Sequence, residues 1–389
     1  MKKAIVLLIS VVLLSSAFAQ KTLPAKGKVL QKTAVARDNA EHEGLSITGK
    51  IEGFTEGKIY LNKLIYPNSI KIDSFDLTNG NFSFTKDISN TNVYSINFGK
   101  RHSGVIIFPE SENIRVNVKL NNGIIDNADV KSGTLQQVFQ EYSKTIKDAG
   151  LEMNKLYLAF LNAKKANNES ETTRLEKELS VKSAAMDATE AKIQELNVSN
   201  LLGIFLITKK IYAYDYDKLK SCLGKVNPVA QKSEIFKTLT ARLAKLDNVK
   251  VGAIAPDFTL PTPEGDMVSL SQFRGKVVLV DCWASWCGPC RVESPNMVAL
   301  WNENKDKNFT ILGVSLDRPN DREKWIKAIA DDKLSWTQVS DLKYWQSKIC
   351  DLYVINAIPE TILIDKDGKI VARGLRGEEL KVKVAELLK

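Results

Sequence analysis

"DCWASWCGPCRVESP", residues 281–295, follows the aliphatic run Val277–Val280 and sets Cys287 and Cys290 three positions apart, where strand-like sequence gives way to helical spacing. Two thiols so spaced can bind a metal, staple a fold or exchange electrons. The histidines are His42 and His102, both far from the pair, so a Cys/His zinc site lacks its remaining ligands. The five cysteines (Cys222, Cys282, Cys287, Cys290 and Cys350) are odd in number, and four crowd into the last third. A stapled secreted framework uses even, dispersed pairs, so the pattern suits chemistry better than stapling. A thiolate attacks a disulfide far better than a thiol does, and a helix N-terminus stabilises the anion through its unpaired N–H groups and its dipole. Cys287 stands at that junction and is the expected nucleophile, while Cys290, one turn further in, is placed to resolve a mixed disulfide.

Outward from the motif, strands and helices alternate: "KVVLVDCWA", a helix from Gly288 to about Asn304, "FTILGVSLD", "DREKWIKAIA", "YWQSKICDLY", "ETILIDKDGKIVAR" and "EELKVKVAELLK". This predicts an α/β domain over residues 249–389, with a hairpin at Asp365–Gly368. Gly252 and Pro256 break the helical spacing of the preceding region, residues 131–248, where apolar residues recur three and four apart. Residues 44 to about 125 instead alternate apolar and polar positions in short runs punctuated by Gly, Asn and Pro, which predicts an antiparallel β-sandwich or barrel over residues 44–130. Residues 20–43 have no period and read as a linker.

The first residues, "MKKAIVLLISVVLLSSAFAQ", have the charged, apolar and small-residue order of a secretory signal peptide over residues 1–19. Its apolar stretch falls short of the ~20 residues of a spanning helix. The expected product is soluble in the periplasm or another exported, oxidising compartment. The formal charge of +9 over 389 residues is not gathered into a basic stripe, so nucleic acid is not an expected partner.

"VDCWASWCGPC" with Pro295 and the later "NAIPETILID" resembles the thioredoxin superfamily, and "VGAIAPDFTL" with Glu293 resembles its exported TlpA/ResA-like, AhpC/TSA-type branch. The β-rich segment is similar to the domain that precedes such reductases in some envelope proteins. The resemblance implies a thioredoxin-like fold for residues 249–389 and a thiol-disulfide oxidoreductase whose only redox group is its own Cys287–Cys290 disulfide, with neither metal nor added cofactor. It implies that Asp281 is a buried carboxylate exchanging a proton with Cys290, a role that burial suits by raising its pKa. Glu293 is expected to tune the thiols, and Ile358-Pro359 to form a cis-proline loop that pairs with substrate. Trp286, Gly288 and Pro289 are expected to meet substrate, with Trp283 and Trp286 forming an apolar platform and Pro295 kinking the helix. Gly288 and Pro289 are expected to let the chain turn tightly into that helix. Cys282 stands where the family commonly has an aromatic residue and is expected to be buried and inert, as are Cys222 and Cys350, although a Cys222–Cys350 bridge stays open.

The implied partners are disulfide-containing envelope proteins, apocytochrome c among them by analogy, and a thiol reductant at the membrane. An isomerase acting as a homodimer through residues 20–248 is the alternative, and those residues could equally form a binding module. A thiol peroxidase is a further alternative, but it needs a Thr-x-x-Cys that "ASWCGPC" lacks.

Overall fold

The computed structural model describes residues 41, 43–85, 88–98, 103–122 and 124–389. The expected signal peptide, nearly all of the expected linker, His42 and His102 lie outside them. The chain forms two compact units, one closing at Ala241 and the other spanning Arg242–Lys389.

The first unit opens with eight strands: β1 (Ser46–Glu52), β2 (Gly57–Leu64), β3 (Ser69–Leu77), β4 (Asn81–Phe84), β5 (Tyr94–Phe98), β6 (Ser103–Ile107), β7 (Asn113–Asn121) and β8 (Ile124–Lys131). They form two four-stranded sheets, ordered β4-β1-β7-β8 and β3-β2-β5-β6, around one apolar core. Strand alternation does the sorting: in β7, Ile114, Val116 and Val118 are buried while Arg115, Asn117 and Lys119 face water. Two features depart from the expected pattern. β1 and β7 pair in parallel, not antiparallel, because the chain runs through five other strands before returning beside β1. Gly49 permits this approach, since a Cβ there would lie 1.9 Å from the Val116 carbonyl oxygen. β8 is an edge strand in which only Val130 is buried, so it carries almost no alternation for sequence reading to detect.

Six helices complete this unit and lead out of it: α1 (Thr134–Lys165), α2 (Glu169–Asn197), α3 (Leu201–Lys209), α4 (Tyr216–Leu223), α5 (Pro228–Gln231) and α6 (Glu234–Asp247). α1 and α2 meet through Phe160, Leu175 and Leu179. α3 ends at Lys209, and Asp215 caps a separate α4 by accepting from Lys218 N–H (2.8 Å). The sandwich and the helices are tied together by the buried Phe108, which packs on Phe139 of α1 and Phe205 of α3, and by polar groups. The Gln136 side chain accepts from Phe108 N–H (2.8 Å) and donates to the Ile106 carbonyl (3.2 Å). The Glu110 carboxylate accepts from Leu135 N–H (2.7 Å) and Gln136 N–H (3.2 Å) in the first turn of α1.

The second unit contains β9 (Thr259–Pro261), β10 (Met267–Ser269), β11 (Val277–Trp283), α7 (Gly288–Asn304), β12 (Phe309–Ser315), α8 (Arg322–Asp331), β13 (Thr337–Val339), α9 (Lys348–Leu352), β14 (Glu360–Ile364), β15 (Ile370–Arg373) and α10 (Gly377–Leu387). Its five-stranded sheet is ordered β13-β12-β11-β14-β15. β11 and β12 are parallel and buried along their whole length, which explains why their mostly apolar sequences, interrupted by Asp281 in β11 and by Thr310 and Ser315 in β12, do not alternate with exposed residues. β14 runs antiparallel to β11. The carboxyl ends of β11 and β12 and the amino end of β14 therefore meet at one edge of the sheet, which is where the thiols lie.

Candidate functional site

β11 leaves the sheet at Trp283, and Cys287 is the N-cap of α7. Its Sγ accepts the Cys290 N–H at 3.2 Å and is joined to Cys290 Sγ in a disulfide. Both cysteines are nearly enclosed, 4 % and 5 % exposed. Pro289 occupies the first helical turn, where its missing N–H costs nothing. Gly288 is not at a left-handed φ, and a Cβ there would meet no atom within 4 Å. The turn therefore does not require glycine, contrary to the sequence expectation; Gly288 leaves open space beside Cys287. α7 continues through Pro295 to Asn304.

The Ile358-Pro359 bond is cis, and the Ile358 carbonyl oxygen lies 3.8 Å from Cys287 Sγ. The Pro359 carbonyl accepts a hydrogen bond from the Arg376 guanidinium, at the start of α10.

Asp281 is 8 % exposed on β11, opposite Thr361 of β14. With Cys290, Glu293, Pro359 and Arg376 it lines a cavity of about 10 Å³, close to the room a single water needs. Burial, reinforced by the negative charge of Glu293 and opposed by Arg376, pushes its carboxyl up to about 7. Glu293 reaches across to α10: one carboxylate oxygen accepts Gly377 N–H (3.0 Å) and the other accepts the Asn296 amide (3.1 Å). The structure thus brings Asp281, Cys290, Glu293 and Pro359 together around one cavity, and Cys287 is joined to Cys290 through the disulfide.

The two tryptophans separate. Trp286 is 37 % exposed, donates its Nε1–H to the Leu316 carbonyl (3.1 Å) and packs on Tyr344 and Trp345. Trp283 is buried, bonded to Gln338 at 3.0 Å, because it ends a strand covered on both faces; it belongs to the core and not to an exposed platform. Cys282 and Cys350 are buried free thiols, and burial pushes Cys282 well above its ordinary range and Cys350 up to about 11. Cys222 is also free but only half-buried on α4, a correction to the expected full burial, and it forms no bridge to Cys350.

Several residues that shape the site carry no local sequence signal. Arg291 is held by both carboxylate oxygens of Asp332, which also accepts from Ser294 Oγ (2.8 Å), so the start of α7 is anchored to the end of α8. The fully buried Asp317 accepts from Ser285 N–H (3.0 Å), Ser285 Oγ and Ser315 Oγ (2.6 Å), which fixes the loop entering Cys287. Only the register of β11 beside β12 reveals that partnership. Among the described residues no cluster of His, Cys, Asp and Glu could hold a metal ion.

Residues 251–373 match the AhpC/TSA family, and residues 45–139 match a domain of unknown function (DUF4369). The thiol-disulfide oxidoreductase ResA of Bacillus cereus is 30 % identical over 151 residues, covering 38 % of this chain and 81 % of the relative. The thioredoxin-like protein YneN of Bacillus subtilis is 35 % identical over 123 residues, covering 31 % and 69 %. Among solved structures, the thioredoxin domain of a thiol-disulfide oxidoreductase from Bacteroides vulgatus is 43 % identical, covering 36 % of this chain and 99 % of that one, with a TM-score of 0.34.

Proposed function

Since the chain belongs to the ResA-like, AhpC/TSA-type branch of the thioredoxin superfamily and is a thiol-disulfide oxidoreductase, we propose that it is an exported reductase of protein disulfides. The observation that carries this reading is Cys287 Sγ at the N-cap of α7, receiving the Cys290 N–H and facing the Ile358 carbonyl.

In the reduced protein, the Cys287 thiolate attacks one sulfur of a substrate disulfide, and the other substrate sulfur leaves and takes a proton. The carbonyl of Ile358, beside the attacking sulfur, is placed to receive a backbone N–H of the substrate chain. Cys290 then gives its proton to Asp281 and attacks Cys287 Sγ. The second substrate sulfur departs as a thiol, and the Cys287–Cys290 disulfide is left. An Asp with a pKa near 7 suits that transfer, because it is ionised often enough to accept a proton and acidic enough to return it. A thiol donor at the membrane restores two electrons and two protons, so the dithiol is the only redox group needed.

The order of the first nineteen residues supports export, and no helix among the described residues is long and apolar enough to cross a membrane. Disulfide-bearing envelope proteins are the substrates in this reading, with mis-oxidised apocytochrome c among them by family analogy. A peroxidase role is disfavoured: Ala284 stands where the peroxidatic threonine would be, and Arg291 is committed to Asp332.

The test is a trapping experiment. Cys290→Ala should accumulate a mixed disulfide through Cys287 with an oxidised model protein, and Cys287→Ala should not. Trapping through Cys290 in the second variant, or none in the first, overturns the assignment. A reduction potential of the pair near −270 mV agrees with a reductase, and one near about −120 mV makes the protein an oxidant.

A further inference from the structure

Next to the thiols the surface carries a built aromatic face. Trp286, Tyr344 and Trp345 contact one another with ring centroids 5.3, 5.8 and 6.2 Å apart. Tyr344 is held at φ 56°, a left-handed conformation that is uncommon for an aromatic residue and must be imposed by its surroundings. The surroundings are identifiable: Tyr344 N–H is bonded at 3.1 Å to the carbonyl of Asp317, whose side chain also fixes Ser285. One buried residue therefore sets both the loop entering Cys287 and the aromatic segment beside it.

The exposed Arg318 lies over this face, its guanidinium carbon 4.9 Å from the Tyr344 ring centre and 5.9 Å from that of Trp286. Among the described residues neither Arg318 nor the exposed Lys343 makes an ion pair. The nearby carboxylates are already engaged: Asp317 with the two serines, Asp341 with Lys343 N–H and Lys348 N–H, Asp321 with Lys324. The patch is thus apolar and aromatic at its centre, and at its edge it carries two cationic side chains, Arg318 and Lys343, that are in no ion pair among the described residues.

We propose that this face docks the segment of substrate chain flanking the target disulfide, and that it selects segments carrying a carboxylate beside an aromatic or large apolar side chain. The aromatic side chain stacks on Tyr344 and Trp345, and the carboxylate meets Arg318 and Lys343, a charge complement that guides approach as well as binding. The assignment rests on Cys287 being the attacking thiol and adds to it a class of substrate.

The experiment uses the reduced full chain in single turnover against two disulfide peptides that differ only in a Glu-Phe or Lys-Phe pair beside the disulfide, together with a small neutral disulfide. Loss of protein thiols gives the second-order rate constant. Exposed ion pairs are individually weak, so attraction and repulsion together should favour the Glu peptide about fivefold at low salt. The preference should fade as salt screens it, weaken in Arg318→Gln, where Lys343 remains, and vanish in the Arg318→Gln/Lys343→Gln double variant. Equal rates for the two peptides, or a preference unchanged in both variants, overturn the docking face. If wild type also fails to reduce the neutral disulfide, the fault lies with the thiol assignment itself, so the two failures are distinguishable.

Discussion

Replacing Asp281 by asparagine separates the cost of the buried carboxyl from its use. Burial raises the Asp281 pKa from the ordinary 3.8 to about 7, which corresponds to about 4 kcal/mol. The folded state holds this proton more tightly than the unfolded chain does. Stability from this group is therefore fully present below about pH 4, falls as pH rises through the window between 3.8 and about 7, and is lost above it. Asparagine removes the ionisation, so Asp281→Asn should gain on wild type by about 4 kcal/mol between pH 4 and pH 8. All six tryptophans lie between Trp283 and Trp345, so fluorescence during urea unfolding of the oxidised chain reports this unit. A fixed offset from any strain of the amide leaves the pH dependence intact. In the reduced protein the same variant should exchange disulfides on the order of 10²-fold more slowly at pH 7, because Cys290 loses its proton acceptor. A stability difference that does not change between pH 4 and pH 8 would refute the argument, whatever happened to the rate.

Arg376 opposes the rise of the Asp281 pKa and holds the Pro359 carbonyl. Arg376→Met should therefore move the midpoint of the pH–rate profile for exchange to higher pH, with Arg376→Lys falling between it and wild type. Because Arg376 is exposed, its loss should change stability by less than about 1 kcal/mol. Asp317→Ala leaves three donors from Ser285 and Ser315 without their acceptor, which should cost about 3 kcal/mol in urea unfolding. A loss below about 0.5 kcal/mol would show that water replaces the carboxylate there.

How far the site is legible in the sequence depends on whether the signal is local. Cys287, Cys290 and Pro289 are read from three-residue spacing and from the physics of a helix start, and Asp281 from the family resemblance, with the surrounding valines and leucine giving the reason for its raised pKa. Arg376 and Asp317 are not readable in this way. They reach the site because β12 lies parallel to β11, and because α10 begins where Glu293 of α7 can accept the Gly377 N–H. Tyr344 and Trp345 are half-buried in a single turn of 3₁₀ helix, with no periodicity to mark which face reaches the surface. The same limit holds for the fold: β13 is three residues long and β8 has one buried side chain, too little pattern to identify either.

Asp281 and Cys282 show why burial alone does not mark a functional residue. They are neighbours on a strand buried along both faces, both become anionic when they lose a proton, and desolvation is the leading cause of the shift at each. The outcome differs because the starting points differ. From 3.8, burial lifts the carboxyl to about 7, into the range where a proton is readily taken and given. From 9.0, the same effect drives the Cys282 thiol well beyond that range and leaves it unreactive. Alternation then decides what each can reach: Asp281 points into the cavity it shares with Cys290, and Cys282 points to the opposite side of the sheet. A thiol at position 281 would be as silent as Cys282, which is why proton transfer at this depth calls for a carboxylic acid.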